Sequence, residues 1–252
     1  MYYILLGVIA TSFTYLLTLI GAASVFFIKK INNKLLDYIL GLSSGIMIAA
    51  SFFSLLLPAI NLLTKLNRLE YIETSIGFAG GCLLIILSDI ILGRKKALNE
   101  DNKKSILLVS AVTLHNFPEG LVIGVAFGSL ALNSNLILID AILIAVGIGI
   151  QNLPEGACTA LPLRKAGYTR KKAFVLGQAS GLVEIIAGLI GAIFVITIEN
   201  SLPFFLSFSA GAMILVCASE LIPDAFKNNK KLASIGLASG FIIMMFLDIA
   251  LS

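Results

Sequence analysis

An all-α polytopic membrane protein with eight spanning helices is the fold that this sequence predicts, on three observations. Hydrophobic residues make up 58% of the 252 residues, charged residues only 13%, and the mean hydropathy is +1.01. Water-soluble domains carry nearer ~25% charged residues, so this chain lacks the polar groups to cover a water-facing surface. The charges also fall in clumps between long apolar stretches, each near or above the ~20 residues needed to cross a bilayer core. Finally, the chain repeats itself in a way that only helices running in opposite directions can accommodate.

The eight stretches run at about 3–28, 36–63, 73–92, 105–131, 136–162, 171–196, 202–225 and 231–251, and form one transmembrane domain over 1–252. No basic segment precedes the first, which reads as a retained helix rather than a cleaved signal. The second carries Met47 and Ser54, and the third a Gly77-x-Ala79-x-Gly81 run ending near Asp89. The fourth contains His115-Asn116-Phe117-Pro118-Glu119-Gly120 and the fifth Gln151-Asn152-Leu153-Pro154-Glu155-Gly156. The sixth carries Glu184, the seventh Glu220 and Asp224, and the eighth Asp248. Gly120, Gly124 and Gly128, like Gly177 and Gly181, follow the small-xxx-small spacing that lets helices approach closely. Cys82, Cys158 and Cys217 stand singly in apolar stretches, with no C-x-x-C pair, and read as small packing residues.

Basic residues set the orientation. All but two of the 18 Lys and Arg lie in the odd-numbered loops: Lys29, Lys30 and Lys34; Arg94, Lys95, Lys96, Lys103 and Lys104; Arg164, Lys165, Arg170, Lys171 and Lys172; and Lys227, Lys230 and Lys231. Lys65 and Arg68 share the second loop with Glu70 and Glu73. By the positive-inside rule the odd loops are cytoplasmic and both termini lie outside. The net charge of +4 then reflects topology, and no nucleic-acid partner is expected.

Self-comparison pairs the two ends of the chain. Gly77-x-Ala79-x-Gly81 followed by Asp89-Ile90-x-Leu92 returns as Gly236-x-Ala238-x-Gly240 followed by Asp248-Ile249-x-Leu251. Gly45-x-Met47-Ile48 returns as Gly211-x-Met213-Ile214, and Leu19-Ile20-Gly21-Ala22 as Leu189-Ile190-Gly191-Ala192. Helices 1–3 thus match helices 6–8 around helices 4–5. The copies start five helices apart, an odd number, so they run in opposite directions. Inverted repeats of this kind occur in secondary transporters, with the binding site near midplane where the halves meet.

The two central helices carry the chemistry. His115 and Glu119 are four residues apart, as are Gln151 and Glu155, so each pair shares a helix face. Pro118 and Pro154 each remove one helical donor, freeing the carbonyls of Leu114 and Ile150. Counted from the cytoplasmic ends at 1.5 Å per residue, His115, Glu119, Gln151, Glu155, Glu184 and Met47 cluster at roughly 12–21 Å, the middle of a ~30 Å core. Every Lys and Arg lies in a loop, so the three glutamates have no basic partner within the membrane. At about 2.5–3.5 kcal/mol each they demand protonation or a bound cation. A lone histidine among oxygen donors favours a cation of the zinc or iron type. Asp89, Glu220 and Asp224 near the cytoplasmic ends, and Asp248 with Ser54 near the outer ends, are candidate pathway residues.

The paired H-N-x-P-E-G and Q-N-x-P-E-G motifs resemble the ZIP (Zrt/Irt-like protein) family of divalent metal transporters. So do Gly149 to Gly156 with Leu161-Pro162-Leu163-Arg164, and Gly177-Gln178-x-Ser180-Gly181-Leu182-Val183-Glu184, which resemble its GufA-type branch. The resemblance implies a binuclear site. Met47, His115, Glu119, Gln151 and Glu155 would hold one ion; Asn116, Glu119, Asn152, Glu155 and Glu184 would hold the other. It implies uptake of Zn2+, or of Cd2+, Fe2+ or Mn2+, into the cytoplasm across a plasma or bacterial inner membrane, with no cofactor and with a homodimer as a candidate assembly. Gln151 stands where many members have a second histidine, and Asn152 where some have aspartate. Residues 93–105 lack the histidines of the family's cytoplasmic loop.

Other classes fare worse. A metal-dependent hydrolase needs a pattern such as H-E-x-x-H, which a single histidine cannot supply, and no G-x-x-x-x-G-K-[ST] loop supports an ATP-driven pump. No enzyme activity is expected. A passive divalent-cation channel of the same architecture stays open as the alternative.

Overall fold

The computed structural model describes residues 1–28, 32–93, 100–132, 137–195 and 199–251; for 92, 93, 100–108, 110, 111, 114, 115, 199 and 251 the description covers the backbone alone. Lys29, Lys30, Arg94, Lys95, Lys96 and the ends of two expected helices at 136 and 196 lie outside the described residues, as do the side chains of Lys103, Lys104 and His115.

The described residues form long helices. They are α1 (Tyr2–Phe27), α2 (Asn33–Lys65), α3 (Glu70–Gly93), α4 (Glu100–Ser129), α5 (Leu138–Lys165), α6 (Arg170–Ile193), α7 (Leu202–Ala225) and α8 (Lys230–Leu251). Among the described residues seven of them, α1 to α3 and α5 to α8, are long and apolar enough to cross a bilayer. The 30-residue α4 opens with Glu100, Asp101, Lys103 and Lys104. Local chemistry sets the helix starts. Asn32 accepts a hydrogen bond from the Leu35 amide (2.7 Å), Thr169 from Lys172 (3.2 Å) and Asn229 from Leu232 (3.1 Å), which satisfies otherwise orphaned first-turn donors. Gly167, at φ +97°, makes the turn between α5 and α6.

Polarity is distributed inside out. Leu5, Ile9, Leu16 and Ile20 of α1 are exposed, as are Ile76, Leu83 and Ile90 of α3 and Ile242, Phe246 and Ile249 of α8. Thr14, Asn116, Glu119, Asn152, Glu155 and Glu184 are buried. An apolar exterior of this extent has lipid as its solvent, so the chain is an integral membrane protein.

Two groups of helices emerge from the packing. One holds α2 against α8 and α3 against α7; the other holds α1 against α5 and α6, and α4 against α6. Sparser contacts join them, chiefly α2 with α5 and α4 with α7. Every pairing has a counterpart when the two repeats are exchanged: α2–α8 becomes α7–α3, α1–α5 becomes α6–α4, and α1–α6 and α4–α5 map onto themselves. The internal repeat is therefore visible in three dimensions, but its copies interlock. Neither copy packs as a unit of its own.

The repeated glycines are the means of that interlocking. A Cβ on Gly81 would lie 1.9 Å from the Phe208 carbonyl oxygen, and one on Gly240 2.1 Å from that of Leu42. Gly45 and Gly211 make the reciprocal approaches, each 2.1 Å from a carbonyl, of Leu237 and Phe78 respectively. Polar ties close the helix ends. Buried Asp37 at the start of α2 accepts from Asn228 Nδ2 (3.0 Å) and from the Asn229 amide (2.7 Å). At the opposite end Arg68 pairs with Glu73 and donates to the Asn200 carbonyl (2.6 Å).

Two substitutions test this packing against simple helix propensity. Gly81→Ala should lower the melting temperature of the purified protein, by overpacking worth about 1–3 kcal/mol. Gly147→Ala, where a Cβ meets nothing within 4 Å, should leave it equal or raised, because alanine favours a helix interior by about 1 kcal/mol over glycine. Equal effects from the two would remove the close-approach explanation.

Candidate metal site

The site is assembled where α4, α5 and α6 meet α1 and α2. Pro118 and Pro154 lie inside α4 and α5, which nevertheless continue through them. The glycine after each glutamate draws the helices together. A Cβ on Gly120 would sit 2.4 Å from the Glu184 carbonyl of α6, and one on Gly156 2.1 Å from the Thr18 carbonyl of α1. Each P-E-G run thus serves two ends, exposing a carbonyl and bringing a neighbouring helix to the carboxylate.

Met47, Asn116, Glu119, Gln151, Asn152, Glu155 and Glu184 are all buried. Four of them form two hydrogen-bonded pairs. Gln151 Nε2 donates to Glu119 Oε1. Asn152 Nδ2 donates to both oxygens of Glu184 (2.9 and 2.8 Å) and approaches the Thr14 carbonyl (3.4 Å). Thr14 Oγ1 donates to Glu184 Oε2 at 2.5 Å. The carboxylates form one cluster, with Glu119 within Coulombic reach of Glu155 and Glu184, and Glu184 of Glu155.

The cluster is under-satisfied. Both amide atoms of Asn116, Glu119 Oε2 and Asn152 Oδ1 are buried and find no hydrogen-bond partner among the described residues. Neither Glu119 nor Glu184 pairs there with a basic side chain. Buried polar atoms are ordinarily bonded, and leaving one unmade costs about 1–3 kcal/mol, so these oxygens call for a donor or a cation. Among the described residues no group of three His, Cys, Asp or Glu side chains is placed to hold a metal ion. Around the carboxylates stand two amides and a hydroxyl, while the Met47 sulfur, also buried, lies 3.8 Å from that of Cys217.

Met47 lies one turn before a π-helical segment of α2, Ser51–Leu56, and α7 has the corresponding segment at Cys217–Leu221. Pro58 and Pro223 follow them at matching places. Such single-turn π segments recur at functional sites, where the wider turn redirects side chains.

The pathway residues divide. Ser54 Oγ donates to Asp248 Oδ1 at 2.5 Å, joining α2 to α8 near one end of the bundle. At the other end Asp89 and Asp224 are exposed and Glu220 is half-buried in the α7 π segment, with Lys227 4.0 Å from Asp224. Thr14 was not among the residues expected from sequence. A signal existed, because the offset of 170 residues that aligns α1 with α6 makes Thr14 the counterpart of Glu184.

Known proteins place this arrangement in a family. The family model described as ZIP Zinc transporter matches residues 93–248, which contain both P-E-G motifs and Glu184. The chain belongs to the ZIP family. Among its relatives, Zinc transporter ZIP11 of Homo sapiens is 30% identical across 97% of both chains. Zinc transporter GufA of Myxococcus xanthus is 30% identical across 97% of this chain and 98% of its own. Zinc transporter ZIPB of Bordetella bronchiseptica is 33% identical across 93% of this chain and 77% of its own.

For this ZIP protein the Thr14 hydroxyl is expected to matter to stability. A hydrogen bond to a charged group is worth about 1.5–3 kcal/mol. Thr14→Val should destabilise the metal-free protein by that order and Thr14→Ser should restore most of it, as read by thermal unfolding in detergent. Equal melting temperatures for the valine and serine variants would show that methyl packing, rather than the hydroxyl, is what Thr14 provides.

Proposed function

We propose that this protein carries Zn2+, and chemically similar Cd2+, Fe2+ or Mn2+, across a cell membrane into the cytoplasm by alternating access. The observation that carries the reading is the cluster of three buried glutamates, two of them without a basic partner among the described residues, bordered by amide atoms that lack hydrogen-bond partners. Zinc is the favoured cargo because relatives alignable over nearly the whole chain are named zinc transporters.

Two ions fit the donor chemistry. Met47, His115, Glu119, Gln151 and Glu155 hold one; Asn116, Glu119, Asn152, Glu155 and Glu184 hold the other, with Glu119 and Glu155 shared. The hydrogen bonds follow the same division, since Gln151 serves Glu119 and Asn152 serves Glu184. An amide offers a donor at one end and an acceptor at the other. In the metal-free site each NH2 group partly neutralises a carboxylate. When a cation arrives, rotation of the side chain presents its oxygen instead, so the same two residues stabilise both the loaded and the unloaded site.

Release on the far side requires that the site change its exposure. The group α1, α4, α5 and α6 carries the carboxylates, and the group α2, α3, α7 and α8 carries Met47 and the pathway residues. Tight glycine seams hold each group together, whereas fewer contacts join the two, so movement of one group against the other costs least. Ser54 with Asp248 would line the outer approach; Asp89, Glu220 and Asp224 would line the cytoplasmic exit. Basic loops on one side set this orientation, with α4 as the eighth span and both termini outside.

Uptake of radioactive zinc by intact bacteria expressing the protein tests direction and chemistry together. Saturable accumulation above the vector control is expected, competed by Cd2+ and abolished by Glu119→Ala. Flux that rises without saturation would favour a passive channel, and lowered accumulation would mean export.

A further inference from the structure

Two sulfur atoms meet beside the carboxylate cluster. Met47 Sδ on α2 lies 3.8 Å from Cys217 Sγ on α7, and both side chains are fully buried. Cys217 opens the π segment of α7, and it lies within Coulombic reach of Glu155 across the seam between the helix groups. Two sulfurs bound ~2.3 Å from one ion at a tetrahedral angle stand about 3.8 Å apart. In the metal-free protein the Cys217 thiol donates to the Met47 thioether at this distance, so a cation that replaced the proton would find both sulfurs already within reach. Cys158 shares the neighbourhood, but its thiol is directed at its own helix, 3.3 Å from the Glu155 carbonyl oxygen.

We propose that Cys217 is a further metal-ligating residue, which with Met47 forms a soft-donor wall opposite the glutamates and biases the site toward thiophilic cations, cadmium above zinc. This deepens the metal-transport reading and rests on it. A cysteine kept only for its small volume would account for the burial and for the S–H···S contact with Met47; what it does not use is the pairing of a thiol and a thioether within Coulombic reach of Glu155. Thiolate and thioether donors select soft cations, whereas carboxylates and carbonyls suit hard ones. A site walled by sulfur on one side and oxygen on the other grades cations by softness. As the metal–sulfur bond forms, the thiol proton is lost to solvent, one for each ion that Cys217 holds.

The test is a pair of titrations on the purified protein in detergent, one with Cd2+ and one with Zn2+. Cadmium bound to thiolate produces an ultraviolet charge-transfer band. The wild type and Cys82→Ser should develop this band; Cys217→Ser should not. The ratio of cadmium to zinc affinity should fall about tenfold or more in Cys217→Ser, equivalent to ~1.4 kcal/mol. Should Cys217→Ser fail to fold, Met47→Leu provides the second variant, and it should weaken cadmium more than zinc. Persistence of the band in Cys217→Ser, or its loss in Cys158→Ser alone, would overturn the assignment. Wild-type protein that binds zinc but forms no cadmium band would defeat this inference and leave the transport reading intact. Saturable binding of neither metal would defeat both.

Discussion

Three carboxylates enclosed by apolar helices constrain everything else in this molecule. Each costs about 2.5–3.5 kcal/mol to insert at mid-membrane, so Glu119, Glu155 and Glu184 together set a penalty comparable to the net stability of a whole domain. Neutral donors offset part of it: the Gln151 amide at Glu119, and the Asn152 amide with the Thr14 hydroxyl at Glu184. Those donors reach the carboxylates only because Gly120 and Gly156 let α4 and α5 press against the backbones of α6 and α1. The glycines, the prolines and the carboxylates of the two P-E-G motifs form one device, in which close packing holds the charge and the charge gives the packing a purpose.

Duplication explains how such a device could be built, and where it departs from symmetry. Exchange of the two repeats carries α4 onto α5 and α6 onto α1, so His115 matches Gln151 and Glu184 matches Thr14. A symmetric charge pattern would place a fourth carboxylate at position 14. The hydroxyl there instead donates to its own counterpart, which gives one more favourable contact and one less buried charge. The frame is symmetric and the chemistry is not.

Much of this was legible in the sequence. Apolar stretches located the long helices to within a few residues, because the bilayer imposes a length that composition reveals. Depth counting grouped Met47, His115, Glu119, Gln151, Glu155 and Glu184 in one layer; all of them are buried except His115, whose side chain lies outside the described residues. What escaped was set by contacts between distant segments. Periodicity shows which face of a helix is special but not which helix it meets, so the division into α1/α4/α5/α6 and α2/α3/α7/α8 was invisible behind the order of the repeat. Asp37, at a helix start near basic residues, gave no hint that it holds Asn228 and Asn229 from the other end of the chain. The π segments arise from one extra residue per turn, which leaves the apolar pattern intact. Thr14 was hidden by its neutrality, since a threonine in a spanning helix carries no insertion penalty that demands an explanation.

On the proposed function, divalent cations balance these buried carboxylates and Glu184 belongs to one ion alone. Counting zinc bound to the purified protein, by elemental analysis alongside protein concentration, tests it most directly. Two ions per chain are expected in the wild type and one in Glu184→Gln, with the remaining ion held by the His115 and Glu119 set. One ion of equal affinity in both proteins would contradict it.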